Sequence, residues 1–327
     1  MLSNNTNPKV FDPKVESAAT RDGFGKGAVE AGKKDERVVV LCADLAESTR
    51  AEWFQKEFPN RYIEIGVAEQ NLAAVASGMA NYGKIPFITS YAAFSPGRNN
   101  EQIRTTISLN NLPVKVCGMH AGVSVGPDGA THQALEDIGL MRMQPNMKVI
   151  VPADAEEARK ATYAAAFNNS PTYLRFGREK TPLMTTLETP FEIGTAYYLW
   201  KNEAPQVVII GCGAILFEAL KAARDLEALG VRVSVLNSHT VKPLDGNAIL
   251  MAAAEAGRIV TVEEHQAAGG LGSAVAEFLA ENRPVPIEMV AVRDRFGQSG
   301  TMAELYKEYG LDSAAIMAAV QKVIKRK

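Results

Sequence analysis

Between residues 61 and 83 the chain reads Arg-Tyr-Ile-Glu-Ile-Gly-Val-Ala-Glu-Gln-Asn-Leu-Ala-Ala-Val-Ala-Ser-Gly-Met-Ala-Asn-Tyr-Gly. The short apolar run at 62–65 predicts a strand, Gly66 a turn, and the alanine-rich stretch at 68–81 a helix. Strand, glycine turn and helix in that order form the building unit of an α/β fold. One carboxylate, Glu69, falls in the first helical turn, beyond the carboxyl end of the strand, where open α/β sheets bind ligands. A lone glutamate there is more simply a solvated residue favoured by the helix dipole. The small residues Ala73, Ala74, Ala76, Ser77, Gly78 and Ala80 suit close packing against a sheet of the same chain or against a second subunit.

The same alternation extends in both directions. Apolar runs predict strands at 38–42, 85–89, 114–119, 149–151 and 173–176, and amphipathic segments predict helices at 23–31, 97–109 and 155–167. Several strands are apolar at nearly every position, as when helices cover both faces of a parallel sheet. Residues 180–190, with two prolines, four threonines and no helical period, read as a linker. A second series follows, with strands at 207–211, 231–236, 259–262 and 287–292 and helices at 214–229, 246–256, 272–281 and 313–324. The expected fold class is α/β, two domains, each a mostly parallel sheet flanked by helices, with the boundary between 1–183 and 184–327.

Composition excludes several functions. Hydrophobic residues make up 46% and charged residues 22%, and the net charge is -2, so there is no general nucleic-acid footprint. No apolar run is long enough to span a membrane, and residues 1–13 are too polar for a secretory signal. Cys42, Cys117 and Cys212 are scattered through apolar segments, which fits buried reduced thiols and a cytoplasmic location. The run Lys325-Arg326-Lys327 is a short basic tail at a helix end. Val208-Ile-Ile-Gly-Cys-Gly213 imitates the start of a dinucleotide fingerprint, but Leu216 stands where the third glycine belongs.

A second chemistry-bearing segment, Gly126-Pro-Asp-Gly-Ala-Thr-His-Gln133, follows the strand expected at 114–119. It brings Asp128 and His132 to that strand's carboxyl end, with His120 just upstream. Such residues can hydrogen-bond a hydroxyl or relay its proton. No third histidine or cysteine cluster accompanies them, so no metal site is expected in this chain.

Together, the Glu69 segment and Asp-Gly-x-Thr-His-Gln resemble the transketolase family of thiamine-diphosphate enzymes, and the resemblance spans nearly the whole chain. Its second half, with Glu263-Glu264-His265, Gly269-Gly270-Leu271-Gly272 and Arg293-Asp294-Arg295-Phe296-Gly297, is similar to the family's C-terminal domain, which usually carries no catalytic residue. His239 and His265 are therefore expected to be structural.

The resemblance implies a thiamine-diphosphate-binding fold followed by a transketolase C-terminal-like domain, and it assigns roles. Glu69 would hydrogen-bond the cofactor's aminopyrimidine and favour the tautomer that takes the thiazolium proton. Tyr91 and Phe94 would stack on the pyrimidine, and Asp44 would lie near the cofactor at a subunit interface. Asp128 and His132 would handle substrate hydroxyls. Arg21, Ser48, His120 and Arg175 would hold a sugar phosphate.

What is missing is also informative. Family members anchor the cofactor's diphosphate and a magnesium ion through Gly-Asp-Gly in a separate domain, and no Gly-Asp-Gly occurs here. The resemblance thus implies the C-terminal subunit of a split transketolase. It would work with an N-terminal subunit that binds magnesium, in a two-plus-two assembly of pentose phosphate metabolism. Its reaction would move a two-carbon ketol unit between sugar phosphates. The alternatives are the β subunit of a 2-oxo acid dehydrogenase, a 1-deoxyxylulose-phosphate synthase-like enzyme, or a non-catalytic binding module. Gly97-Arg98-x-x-x-Gln102-Ile103-Arg104 favours the split transketolase.

Overall fold

Apolar runs buried at nearly every position become the central strands Val38–Cys42, Ile85–Tyr91, Lys115–Met119 and Thr172–Arg175. In the computed structural model, which describes residues 1–326, they sit inside a seven-stranded sheet. Lys327, the last residue of the basic tail and of the expected second domain, lies outside the described residues. The strand order across the sheet is Thr240–Lys242, Lys148–Ile150, Thr172–Arg175, Lys115–Met119, Ile85–Tyr91, Val38–Cys42, Tyr62–Glu64. Every pairing is parallel except the first. The second sheet has five strands, in the order Ile287–Val292, Ile259–Gln266, Val207–Gly211, Val233–Asn237 and an antiparallel Tyr197–Trp200. The chain is thus α/β with two mostly parallel sheets flanked by helices.

Two expected elements change character. The helix expected at 97–109 shrinks to Asn100–Gln102 followed by a π-helical stretch, Ile103–Ser108. Thr105 and Thr106 turn their hydroxyls back onto the Glu101 and Gln102 carbonyls, which competes with the α-helical ladder. The expected linker is a packed crossing. Thr181–Pro182 pairs with Ser17–Ala18, and the Thr185 N–H and hydroxyl donate to Asp154. Asp154 also caps the helix Ala155–Ala166 by accepting from the Glu157 N–H. Burial pushes its carboxyl up to about 6.

The halves are fastened further by Thr240–Lys242, a strand from the second half that closes the edge of the first sheet. Lys242 Nζ, on that strand, donates to the carbonyls of Arg142 and Gln144. One apolar cluster runs through both sheets, from Leu41, Leu72 and Ile88 to Val208, Ile210 and Leu236. The three cysteines are buried, and burial pushes their thiols up. Among the described residues no helix is long and apolar enough to cross a membrane.

Helices Thr20–Lys34 and Ala155–Ala166 meet closely through Gly23 and Gly27. A Cβ at Gly23 would lie 2.1 Å from the Ala155 carbonyl oxygen. Gly23→Ala is expected to lower unfolding free energy by ~1–3 kcal/mol through overpacking. Gly78, inside the helix Glu69–Asn81, would meet nothing within 4 Å, so Gly78→Ala is expected to raise it by ~0.5–1 kcal/mol. Urea midpoints of the two variants decide, and the opposite order would contradict the packing.

Candidate active site

Chemistry-bearing residues collect at the carboxyl ends of adjacent parallel strands, as sheet topology requires. Glu69 opens the helix that follows Tyr62–Glu64 and is 4% exposed. Its carboxylate is held at long range. Ser90 Oγ donates to Oε1 at 3.4 Å, and Arg98 Nη1 lies 3.4 and 3.2 Å from Oε1 and Oε2. Asn99 Nδ2 donates to the Glu69 carbonyl and to Ser95 Oγ, while Asn99 Oδ1 is buried without a partner. A groove of about 540 Å³ lined by Val67, Ala68, Gln70, Asn71 and Arg98 opens beside the carboxylate.

From Glu69 an unbroken line of side chains leads away. The Arg98 guanidinium covers the Phe94 ring at 4.2 Å. Phe94 stacks on Tyr91 with centroids 5.9 Å apart, and Tyr91 stacks on His120 at 4.2 Å. His132 stands edge-on to both aromatic rings. Arg21 Nη1 donates to His120 Nε2 at 2.9 Å and to the Ser48 carbonyl at 2.8 Å. Since Arg21 can only donate, a neutral His120 carries its proton on Nδ1.

Cations dominate the far end. Burial pushes His120 down to about 3, and Arg21 and Arg178 add to the effect. Burial and the charge of Arg50 likewise lower Arg21. Arg178 Nη1 donates to the Val125 carbonyl and lies 3.7 Å from Asp128 Oδ1. Positive groups crowded at the mouth of a sheet form an anion site.

Several expectations are revised. Arg175, expected at the phosphate, is 6% exposed and turns its Nε and Nη2 to other partners. Its Nε donates to Asp137 Oδ2 at 2.7 Å, and its Nη2 to Asp137 Oδ1 and to the carbonyls of Ala134 and Glu264. Arg178 stands in the cluster instead. The signal was available, because Arg175 ends its strand whereas Arg178 lies beyond the carboxyl end. Arg98, from the Gly97-Arg98 motif, also stands here, paired with Glu69 and covering Phe94, a place that its motif alone does not indicate.

Tyr91 and Phe94 stack on each other, with His120 against Tyr91 and Arg98 over Phe94. Ser48 contributes its carbonyl to Arg21. Asp128 faces Arg178, while His132 Nδ1 lies 2.8 Å from Thr131 Oγ1. Asp44 is exposed, has a left-handed φ of 57°, and donates its N–H to Glu64 Oε1. Among the described residues no group of three or more His, Cys, Asp or Glu is placed to hold a metal. His239 and His265 are buried away from this line, with His239 against Phe191 and His265 Nε2 accepting from the Gly139 N–H.

The His120 environment makes a titration prediction. Its folded value lies below the ordinary 6.5, so between the two values the unfolded chain holds a proton that the native state lacks. This contribution to stability is therefore present above about 6.5 and is lost as pH falls toward about 3. Imidazole NMR should show His120 neutral at pH 5. Arg21→Ala should move its midpoint upward but short of the ordinary value, because burial remains. A wild-type midpoint near 6.5 would contradict the arrangement.

Comparison with known proteins gives the family. Residues 16–184 match the family model for the transketolase pyrimidine binding domain, and residues 196–316 match that for the transketolase C-terminal domain. The 6-deoxy-6-sulfo-D-fructose transketolase subunit SqwH of Clostridium sp. (strain MSTE9) is 38% identical over 97% of this chain and 98% of its own length. A putative transketolase C-terminal section of Methanocaldococcus jannaschii is 40% identical over 94% and 96%, respectively. Human transketolase is 36% identical over 99% of this chain, which covers 52% of that protein. A solved structure described as a split gene transketolase, inactive beta4 tetramer, superposes with a TM-score of 0.87 at 43% identity, covering 94% of this chain and 98% of that one.

Proposed function

This chain belongs to the transketolase family, and we propose that it is the C-terminal subunit of a split transketolase that transfers a two-carbon ketol unit between sugar phosphates. The observation that carries this reading is the continuous line from the buried Glu69 carboxylate, through Arg98, Phe94, Tyr91 and the neutral His120, to the cations Arg21 and Arg178. One end suits an aminopyrimidine and the other a phosphate.

The residues present fit the pyrimidine half of thiamine diphosphate. Glu69 keeps acceptor capacity because its contacts are long, and the buried Asn99 Oδ1 is a second unpaired acceptor beside it. When bound, thiamine diphosphate supplies the nucleophilic carbon and the electron sink for breaking the bond beside a ketose carbonyl. Glu69 would hydrogen-bond the aminopyrimidine, and its buried position fixes that carboxyl beside the ring. Phe94 provides an aromatic wall. His132, edge-on to that wall, reaches substrate hydroxyls, as does Asp128. Arg21 and Arg178 bind the terminal phosphate, with His120 as a neutral donor through Nδ1 and Ser48 fixing Arg21. Lacking Gly-Asp-Gly, the chain relies on an N-terminal subunit for the diphosphate and magnesium, in a two-plus-two assembly. The relative described as a split gene transketolase, inactive beta4 tetramer, supports the expectation that this chain self-associates without activity.

The test is reconstitution. The chain alone should be inactive on xylulose 5-phosphate plus ribose 5-phosphate, and should become active with the N-terminal subunit, thiamine diphosphate and magnesium. Glu69→Ala is expected to lower kcat by ~10²–10⁴-fold. Arg178→Ala is expected to raise KM for the phosphorylated substrates by ~10-fold or more, whereas Arg175→Ala should act mainly on stability. An active Glu69→Ala assembly, or no sedoheptulose 7-phosphate from a well-folded wild-type mixture, would sink the proposal.

A further inference from the structure

We propose that Glu264, from the second half of the chain, is a positioning residue for the loop that carries His120 and Asp128. The proposal rests on reading that loop as part of the phosphate and hydroxyl site. Glu264 is 7% exposed, near the carboxyl end of Ile259–Gln266. Its Oε1 accepts from the Ser124 N–H at 2.5 Å, and its Oε2 accepts from Tyr306 Oη at 3.1 Å. A Cβ on Gly122 would fall 2.3 Å from Oε1. The carboxylate therefore lies directly against bare backbone two to four residues after His120, and Gly122 leaves the room and supplies the φ of 87°.

The loop is gripped from several sides. Gly122 donates its N–H to the Ala134 carbonyl, and Ala121 donates to Phe176. Farther along, Gln133 Nε2 donates to the carbonyls of Val123, Gly126 and Gln298. A Cβ on Gly129 would meet Ser299 Oγ at 2.7 Å, so the 126–129 turn also rests on the second half. Arg175 fixes the other side of Glu264 by donating to its carbonyl at 2.9 Å.

His120 itself has a left-handed φ of 53°, a conformation that persists only when its surroundings impose it. The surroundings on its carboxyl side are the backbone that Glu264 holds. Glu264 is buried, and burial pushes its carboxyl up against the opposing pull of Arg175 and the Ser124 N–H. It touches none of the groups assigned to substrate, so its action reaches the reaction only through the loop.

The experiment compares wild type, Glu264→Ala, Glu264→Gln and Tyr306→Phe as full chains, alone and assembled with the N-terminal subunit. Hydrogen exchange across residues 121–129, calorimetric binding of inorganic phosphate, and kinetics with phosphorylated and non-phosphorylated substrates are the readouts. Glu264→Ala should speed exchange, weaken phosphate binding and raise KM for aldose phosphates by ~10-fold. With hydroxypyruvate and a non-phosphorylated aldehyde the loss should be clearly smaller, because only the hydroxyl contact of Asp128 is then disturbed and no phosphate contact is lost.

Glu264→Gln should restore most of the loss, since its amide oxygen can take the Ser124 N–H and its amide nitrogen can face Tyr306 Oη. Should Glu264→Ala fail to fold, Tyr306→Phe, which deletes one hydroxyl, should show the same pattern more weakly. Unchanged exchange and phosphate binding, or equal losses with both substrate classes, would overturn the proposal. A wild-type assembly that transfers no ketol unit would refute the functional reading alone, because exchange and phosphate binding still decide the role of Glu264.

Discussion

Cys42 stands in register with Glu64 on one side and Thr89 on the other. Tyr91 stands opposite Met119, and Gly118 opposite Arg175. These parallel alignments bring neighbouring strands to an end at one level, so each following residue emerges beside its counterpart. Tyr91 meets the His120 ring because their strands finish together, and Glu69, Ser48 and Arg178 enter the same rim from other strand ends. The register depends on close packing that leaves little freedom. Gly118, for example, has no space for a Cβ, because Tyr173 Oη would be 2.2 Å away. Slipping one strand by a residue would invert its faces and separate the line of side chains.

Beneath this rim lies a buried ion pair, Arg175 with Asp137. Burial opposes the charge on Asp137, and Arg175 outweighs it, so the carboxyl sits below its usual range. Tyr173 Oη adds a third hydrogen bond at 2.6 Å. Such a pair is weak evidence of net stabilisation, but removing one partner leaves an uncompensated charge at a cost of ~3–5 kcal/mol. Its geometric consequence is clearer. Arg175 reaches the Ala134 and Glu264 carbonyls, tying the loop that follows Met119, the first sheet and the second sheet to one point.

The periodic parts of this arrangement could be read from sequence. Strands such as Val207–Gly211 and Ile287–Val292 and helices such as Ser313–Ile324 follow directly from apolar pattern and caps. The positions of Glu69 and His120 just beyond strand ends could be read as well, because a short apolar run ends before each of them. Arg175 was misplaced because a motif gives residue type without direction, and only the end of its strand distinguishes an inward guanidinium from Arg178 three residues later. The strand Thr240–Lys242 was invisible for a related reason. Three residues carry no period, and their partner strand lies in the other half of the chain. Glu264 sits in a segment with no motif-level signal of a link to Ser124.

The closing of the first sheet's edge by Thr240–Lys242 also bears on how a gene for such a protein can be divided. A break at the 180–190 crossing would strip Lys148–Ile150 of its outer neighbour, leave a free strand edge open to foreign pairing, and split the apolar cluster shared by both sheets. The two halves therefore form one inheritable unit. A division between the two sheets is penalised twice, at the strand edge and in the core.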